Sequence, residues 1–569
     1  MKMMMKLLGA AFFILHSSFF ISCQSMLETE SDLVEFEEDH TLNHATDSVY
    51  SVLGIINKMQ VIADRSVLLG EVRADLIQPT AAATTDLKRL ADFNFSEANR
   101  YNQISDYYAV INNCNYFLAH IDTAMERRGR NLFMREYAAV KSYRAWTYLQ
   151  LAQIYGQVPL ILQPLMTEKE AREAMNQPRA DIKTICETFI ADLTPYVGVN
   201  LPEYGDINSM PSEKFFIPMR ALLGDLCLWA GRYQEAAYWY HAYLTDKYDP
   251  IQMSHYRTYW PNSTQFDYPS DSYQPTAYNN EVLTYIPMEI RVFDGTISNL
   301  PNLYNSTTEN NYFYQLTASR GMANLSASQI YCFEVSLAGA TTKDTLYAPR
   351  TGFTRSEYEG DLRFASNFSL RSSGTQNDYS EYNSYMQTIS KVGLNRIPLY
   401  RATMVYLRYA EALNRAGYPQ SAFAILKYGI CDDILQARVD PRELADAGEL
   451  VTFDPELFPF EGRYFGIHSL GSGDAHANKY FTLPQPAQQL ASRQDTVNYQ
   501  IPLVEDIIVT EMALEGAFEG YRFNDLARIA LRRNDPAYLA DPISMRKGTA
   551  DADLRQKLMD TKNWYLPIQ

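Results

Sequence analysis

Aromatic and planar polar residues occur together in two segments of this chain, a combination that suits recognition of a saccharide. Saccharides are bound by the apolar faces of aromatic rings and by planar polar groups that hydrogen-bond their hydroxyls. The first segment, residues 71–102, contributes Arg73, Asp75, Asp86, Asn99 and Tyr101. The second segment, residues 256–314, contributes Tyr259, Trp260, Tyr268, Tyr273, Tyr278 and Tyr304. Trp260, beside Pro261 in a polar stretch, is the best single candidate, and ordinary packing is the alternative role of any one tyrosine.

Motifs for catalysis or metal binding are missing from the sequence. After Cys23 the cysteines stand far apart, with no Cys-x-x-Cys pair to hold a metal. We predict that they are small buried hydrophobic residues. The glycine-rich string at 468–474 predicts a tight turn. We therefore predict no catalytic residue, no metal ligand and no cofactor. A surface glycosidase, which needs only two placed carboxylates, is a remote alternative.

Composition describes an ordinary globular chain with an acidic surface. The chain has 569 residues, 46% of them hydrophobic, and 67 acidic against 50 basic side chains give a net charge of −17. A nucleic acid is excluded as partner, because contact with a phosphate backbone needs clustered Lys and Arg. The 42 tyrosines suit either burial or a recognition surface.

The N-terminus has the pattern of a secretory signal that ends in a lipid-attachment site. Lys2 and Lys6 precede an apolar run over residues 7–20, which is too short for a membrane span. Ser22-Cys23 then resembles the lipobox of bacterial lipoproteins, although Phe20 stands where leucine is usual. We expect residues 1–22 to be removed, Cys23 to carry the lipid (palmitate), and the acidic residues 23–40 to form a tether. An ordinary secretory signal is the alternative.

Helical periodicity dominates the chain on either side of a loop-rich middle. Helices are predicted at residues 47–64, 101–126, 133–155 and 181–193. Residues 250–395 are rich in Tyr, Asn, Ser, Thr, Gly and Pro, which predicts long loops with short β-strands.

A helical-hairpin pattern occurs twice. Residues 221–243 and 407–429 share small and large residues at the same offsets, with Gly231 and Gly417 at the turn between two helices. Ala236 and Ala422 stand where the helices of such a pair touch closely. The pattern resembles the tetratricopeptide repeat. Two unrelated hairpins are the alternative.

Residues 505–533 carry the closest family resemblance in the chain. They are similar to the signature of the SusD/RagB family of outer-membrane nutrient-binding lipoproteins. The positions that agree are Glu511, Glu515, Phe518, Glu519, Gly520, Arg522, Asp525, Leu526 and Arg528. The match departs at residues 512–514 and at Gly516. Residues 404–416, residues 144–160 and the ending at 564–568 resemble further family segments in the expected order.

The resemblance implies a mainly α fold, in which tetratricopeptide-like helix pairs form a scaffold and a loop-rich segment packs on it. We expect an N-terminal helical region at 41–249, the loop and small-sheet segment at 250–395, and a C-terminal region at 396–569. It also implies a non-catalytic lipoprotein on the cell outer membrane, exposed at the surface. Such a protein binds a glycan and delivers it to a SusC-like TonB-dependent transporter. Capture of oligopeptides by the same architecture is the alternative, because Tyr and Asn serve both ligands.

The signature residues themselves indicate a structural role. On a continuous helix, Glu511, Glu515 and Glu519 would stand four apart on one face, with Arg522 three residues further on. We expect this ladder to tie the helix to its neighbours rather than to contact a ligand. A solvated face is the alternative.

Overall fold

The computed structural model describes residues 45–207, 210–253, 280–288, 296–304, 314–336, 343–348, 360–372, 385–391, 396–459 and 466–568. The predicted lipid-bearing Cys23 and the acidic tether lie outside these residues, as do Tyr259, Trp260, Tyr268, Tyr273 and Tyr278. None of the helices in these ranges combines the length and the apolar composition needed to cross a membrane.

The described chain is mainly helical, which confirms the predicted fold class. The helices are α1 (Ala45–Val72), α2 (Thr85–Ala91), α3 (Ile104–His120), α4 (Met134–Tyr155), α5 (Glu168–Met175), α6 (Ile182–Leu193), α7 (Met219–Ala230), α8 (Tyr233–Leu244), α9 (Leu300–Leu303), α10 (Arg320–Ala327), α11 (Leu362–Asn367), α12 (Ala402–Ala416), α13 (Pro419–Lys427), α14 (Asp432–Arg438), α15 (Pro441–Ala447), α16 (Ser469–Ser472), α17 (Arg493–Gly516), α18 (Arg522–Arg533), α19 (Ala537–Ser544) and α20 (Ala552–Leu558).

Short β-strands pair only in twos within the described residues. They are β1 (Ile77–Pro79), β2 (Glu126–Arg127), β3 (Arg130–Asn131), β4 (Val158–Pro159), β5 (Arg179–Ala180), β6 (Asp206–Ile207), β7 (Met210–Pro211), β8 (Val282–Pro287), β9 (Leu316–Ala318), β10 (Tyr331–Ser336), β11 (Lys343–Ala348), β12 (Phe368–Ser372), β13 (Tyr385–Ile389) and β14 (Arg396–Arg401). The antiparallel pairs β1–β9, β8–β14, β10–β11 and β12–β13 all involve the middle of the chain. This agrees with the loop and small-sheet character predicted there.

The four predicted N-terminal helices are present, with shifted ends. The first runs on to Val72, and the fourth begins after Asp181, whose side chain accepts a hydrogen bond from the Thr184 amide. The second ends at His120, because residues 126–131 form the hairpin β2–β3. Gly129 lies in the turn of this hairpin, with φ +71°.

Both predicted helical hairpins are present. α7 and α8 are joined at Gly231, and α12 and α13 at Gly417, each glycine having a left-handed backbone conformation. Gly224 on α7 faces the Tyr240 ring so closely that an added Cβ would lie 2.4 Å from it. α8 also packs on α12, so the two hairpins stack directly on each other. This is the neighbour-on-neighbour packing of a tetratricopeptide-like array.

Buried apolar side chains form one large core. It extends from Val52 on α1 to Leu566 near the C-terminus, and a second cluster lies around α18–α20 and Trp564. The five cysteines of the described residues, Cys114, Cys186, Cys227, Cys332 and Cys431, are all buried and unpaired, as predicted. Most of the glycine-rich string at 468–474, predicted as a tight turn, forms the one-turn helix α16, and the chain turns only at Gly473, with φ +79°.

The signature segment does not form the single continuous helix predicted for it. α17 ends at Gly516, and α18 begins at Arg522 after a turn in which Phe518 and Gly520 have positive φ. Gly516 and Gly520 are poor helix formers, and α1 crosses this turn so closely that a Cβ on Gly70 would lie 1.8 Å from the Gly520 carbonyl oxygen. Glu519 therefore lies in the turn rather than on the face of α17.

Buried ion pairs centre on Glu515 of α17. One carboxylate oxygen accepts from Arg401 at 3.0 Å, and the other accepts from Arg363 at 3.2 Å. Arg363 also pairs with Asp361 and Glu511 at 2.8 Å, and all four of these side chains are at most 1% exposed.

The same network continues to the middle of the chain. Arg401 pairs with Glu281 and Glu519 at 2.6 Å, and Lys391 pairs with Glu519 as well. Ser472 donates to Asp361 at 2.7 Å, and His468 pairs with Glu511 at 2.5 Å. The carboxylates of the signature thus bind segments far apart in sequence, which supports the scaffold role and excludes a solvated face.

Groups around Glu511 lower the pKa of its carboxyl. Burial acts to raise the pKa of Glu511, but the Arg363 guanidinium and the His468 imidazole outweigh burial and hold that pKa at about 2. The folded pKa is therefore below the ordinary value of 4.5. The stability that Glu511 contributes is present above the ordinary value and is lost as the pH falls toward 2.

Glu71 of α1 is a buried carboxyl whose pKa is raised, in contrast to that of Glu511. One of its oxygens accepts a hydrogen bond from the Gly520 amide at 2.8 Å, and the other has no hydrogen-bond partner among the described residues. Burial raises the pKa of Glu71 from 4.5 to about 8. Glu71 is therefore protonated in the folded protein at neutral pH.

Replacing Glu515 by Ala is expected to lower the free energy of unfolding by about 3–5 kcal/mol, because two buried guanidinium groups lose an acceptor. Glu187→Ala is the matched control, since its pairing with Lys183 is solvent-exposed and contributes less than about 0.5 kcal/mol. Urea unfolding followed by circular dichroism measures both changes. Equal losses in the two variants would contradict a structural role for the network.

Replacing Glu71 by Gln is expected to change the pH dependence of stability. The folded protein keeps the Glu71 proton between pH 4.5 and about 8 whereas the unfolded chain releases it, so the contribution of Glu71 falls as the pH rises through this window. The amide side chain of the variant does not titrate and can still accept from Gly520. The stability of the variant relative to wild type should therefore increase from acid to alkaline pH. Parallel curves from urea unfolding across this range would refute a raised pKa.

Candidate functional site

Strand pairing joins the ends of the two segments predicted to bind a ligand. β1, in the first segment, pairs with β9, which directly follows the second, and Ile77 lies opposite Ala318. The Thr80 hydroxyl donates to the Tyr314 carbonyl oxygen at 2.5 Å. The Thr84 amide donates to the Gln315 side-chain oxygen at 3.3 Å. The structure therefore places both segments at the same end of α1.

Asp64 of α1 fixes another part of the second segment at this place. Its carboxylate accepts a hydrogen bond from the Ser298 hydroxyl at 2.6 Å and one from the Asn299 amide. Burial raises the pKa of Asp64, although these hydrogen bonds work against that rise. Sequence reasoning missed Asp64, because a lone aspartate inside a helical pattern carries no local signal of a distant partner.

Three of the predicted site residues form a local cluster. The Asn99 side chain donates to the Asp86 carbonyl oxygen at 3.0 Å, and its own oxygen accepts from the Tyr101 amide at 3.0 Å. The Arg100 guanidinium lies 5.5 Å from the centre of the Tyr101 ring. Asn99 is buried and braces the loop, whereas Asp86 and Tyr101 are partly exposed.

Charge links this cluster to Asp64. Burial raises the pKa of the Tyr101 hydroxyl; Arg100 lowers it, and the carboxylates of Asp86 and Asp64 raise it further. We call the group formed by Asp64, Asp86, Asn99, Tyr101 and Ser298 the α1–α2 surface. It exposes the Tyr101 ring and the Asp64 and Asp86 carboxylates in part, and the buried Asn99 and Ser298 hold them from inside.

Tyr304, the described candidate of the second segment, lies beneath this surface. Its side chain is fully buried, and its hydroxyl has no hydrogen-bond partner among the described residues. Burial raises the pKa of Tyr304, and the carboxylates of Glu71 and Asp64 add to that effect. The position of Tyr304 suits support of the surface from inside.

Arg73 and Asp75 have internal partners instead of surface positions. Arg73 donates to the Trp564 carbonyl oxygen at 3.0 Å, and its guanidinium lies 4.0 Å from the centre of the Phe523 ring. Asp75 accepts two hydrogen bonds from Arg522, at 2.7 and 2.9 Å. The reason is that α1 extends to Val72. Arg73 and Asp75 closely follow its last residue, where the chain packs against α18 and the C-terminal residues. Arg73 and Asp75 thus connect the N-terminal part of the chain to its C-terminal part.

Across the described residues, no group of three His, Cys, Asp or Glu side chains is arranged to hold a metal ion. The α1–α2 surface has the chemistry for stacking and hydrogen bonding of a polar ligand. Trp146, predicted to be core, is 6% exposed, while Trp229 and Trp239 are only partly buried.

Comparison with known proteins gives matches in structure only. No protein-family model and no curated protein sequence matches the chain. A SusD superfamily protein from Bacteroides thetaiotaomicron VPI-5482 is similar with a TM-score of 0.54 and 17% identity, covering 85% of this chain and 89% of that one. A SusD superfamily protein from Bacteroides vulgatus ATCC 8482 has a TM-score of 0.54 and 13% identity, covering 92% and 96%.

A third structure is described by its ligand class. It is a SusD-like carbohydrate-binding protein from Bacteroides fragilis NCTC 9343, similar with a TM-score of 0.52 and 15% identity, covering 87% of this chain and 88% of that one. These similarities cover from 85% to 92% of this chain. The chain therefore has the fold of the SusD superfamily proteins.

Proposed function

We propose that this protein is a non-catalytic lipoprotein that binds a glycan and passes it to a SusC-like TonB-dependent transporter. The observation that carries the proposal is that β1–β9 pairing and Asp64 bring together the two segments rich in aromatic and planar polar residues. Support comes also from the fold shared with a protein described as carbohydrate-binding.

The α1–α2 surface would supply the described part of the glycan site. The Tyr101 ring would stack on a sugar face, and the Asp86 carboxylate would accept from hydroxyls. Tyr259, Trp260 and Tyr268 are proposed to add further aromatic faces. Each stacked ring contributes about 1 kcal/mol beyond its buried area, so a micromolar to millimolar affinity is expected, equivalent to about −8 to −4 kcal/mol.

The proposed location is the cell outer membrane, with the lipid on Cys23 as the anchor. A lipid and an acidic tether would hold the folded chain at the surface without a spanning helix. Delivery to the transporter requires only modest affinity, because a tight complex would release the glycan slowly. The lack of catalytic motifs in the sequence supports a binding role rather than an enzyme.

Isothermal titration calorimetry of residues 24–569 against plant, host and microbial glycans tests this proposal. Heat is expected with one glycan class. Tyr101→Ala and Trp260→Ala should each raise Kd by about fivefold to tenfold, the loss of one stacked ring. Tyr499→Ala is the matched control, because Tyr499 is 40% exposed on α17 and outside both segments.

The other outcomes of this titration are informative. Heat only with a peptide digest would move the proposal to oligopeptide capture. New reducing ends after incubation with a glycan would reveal a glycosidase and contradict a non-catalytic role. Unchanged affinity in both Tyr101→Ala and Trp260→Ala would reject the proposed site even if a glycan binds.

A further inference from the structure

A narrow cleft opens among α4, α7, α18 and the junction of β14 with α12. Its lining includes Trp146, Gln150 and Gln153 from α4, Trp229 from α7, Arg408 from α12 and Asn524 from α18. The cleft encloses about 60 Å³, which is room for roughly four to six water molecules. We call it the α4–α18 cleft.

The α4–α18 cleft and the α1–α2 surface have no residue in common. Ser66 of α1 lines the cleft, whereas Asp64 holds Ser298. Residues i and i+2 of an α-helix, such as Asp64 and Ser66, are about 200° apart around its axis. The two places are therefore separate and can be tested independently.

Several polar groups that line the cleft lack partners within the described residues. The Asn524 side-chain oxygen is buried and receives no hydrogen bond. Its amide nitrogen donates to the Gln153 side-chain oxygen at 3.2 Å, which leaves the Gln153 nitrogen with no acceptor in the described chain. Gln153 is 8% exposed and Trp146 is 6% exposed. The Trp146 indole N–H likewise has no acceptor among the residues described.

The buried Asn524 oxygen is unfavourable unless a hydrogen-bond donor enters the cleft. A buried donor or acceptor without a partner costs about 1–3 kcal/mol. The α4–α18 cleft offers donors from Gln153 and Trp146 and an acceptor from Asn524. A hydroxyl group, which both donates and accepts, matches all three.

The charges around the cleft are already neutralised by the protein. Both oxygens of Asp225 accept from Arg408 at 3.0 Å, and one also accepts from the Tyr400 hydroxyl at 2.6 Å. Arg528 pairs with Asp525 at 2.9 Å and lies 5.4 Å from the centre of the Trp229 ring. A charged ligand would meet no unpaired counter-charge among the described residues here.

We propose that the α4–α18 cleft binds one neutral, hydroxyl-rich unit, either the terminal sugar of a glycan or a small polyol. An aromatic wall at Trp229 takes the apolar face, and Gln153, Asn524 and Trp146 hydrogen-bond the hydroxyls. This is a second binding site in addition to the proposed glycan surface.

Titration of residues 24–569 with neutral methyl glycosides, glycerol and glucuronate tests the proposal. Tryptophan fluorescence and saturation-transfer NMR report binding, because two of the five tryptophans line the cleft. Saturable millimolar binding of a methyl glycoside is expected if the source is a glycan terminus, and of glycerol if it is a free polyol.

The double variant Gln153→Met/Asn524→Leu removes both amides, so neither is left unpaired by loss of the other. It should weaken binding at least about tenfold with an unchanged melting temperature. Tyr101→Ala should leave this binding unchanged, which separates it from the proposed glycan surface. If the double variant is poorly folded, Trp229→Leu replaces it, with a loss of about fivefold expected.

Three results would overturn the proposal. One is no saturable response to any neutral probe, which would mean that the cleft holds only water. Another is tighter binding of glucuronate than of its neutral counterparts. The third is unchanged affinity in a folded double variant or in Trp229→Leu.

Discussion

Burial of charge is the constraint on which this structure depends. Glu515 receives Arg363 and Arg401 from different parts of the chain, and all three side chains are fully buried. An unpaired charge in such a place costs several kcal/mol, so none of the contributing segments can leave without stranding another. The network therefore fixes where the loop-rich middle of the chain sits on the helical scaffold. It also explains why Glu511 and Glu515 face away from solvent.

The sequence predicts the parts of this fold that depend on contacts between residues close in sequence better than the parts that depend on contacts between distant segments. The helix pairs at Gly231 and Gly417 are predictable, because a turn glycine and small contact residues act locally. The break between α17 and α18 is not, because the i, i+4 spacing of the glutamates suits a helix. At that break the backbone of Gly70, far away in sequence, packs directly against Gly520, a tertiary contact that the glutamate spacing does not reveal.

In the candidate site, too, the contacts between residues close in sequence are predictable and the long-range contacts are not. Asp86, Asn99 and Tyr101 lie close in sequence, and the structure brings them together. Arg73 and Asp75 are near them in sequence, yet their partners Trp564 and Arg522 are at the other end of the chain. Composition could not separate these two groups, since planar polar residues serve a ligand and an interior equally well. In the α4–α18 cleft, tryptophans at helical spacing looked like ordinary core, and only the unpartnered Gln153 and Asn524 groups indicate otherwise.

The buried cysteines have a practical consequence for studying this protein. Burial raises the pKa of Cys114 and of Cys332 to about 12. Burial also raises the pKa values of the other three described thiols. Thiolates are the reactive form, so native residues 24–569 should resist maleimides and similar reagents without any cysteine being removed. A single cysteine introduced at an exposed position would then accept a fluorophore or spin label selectively.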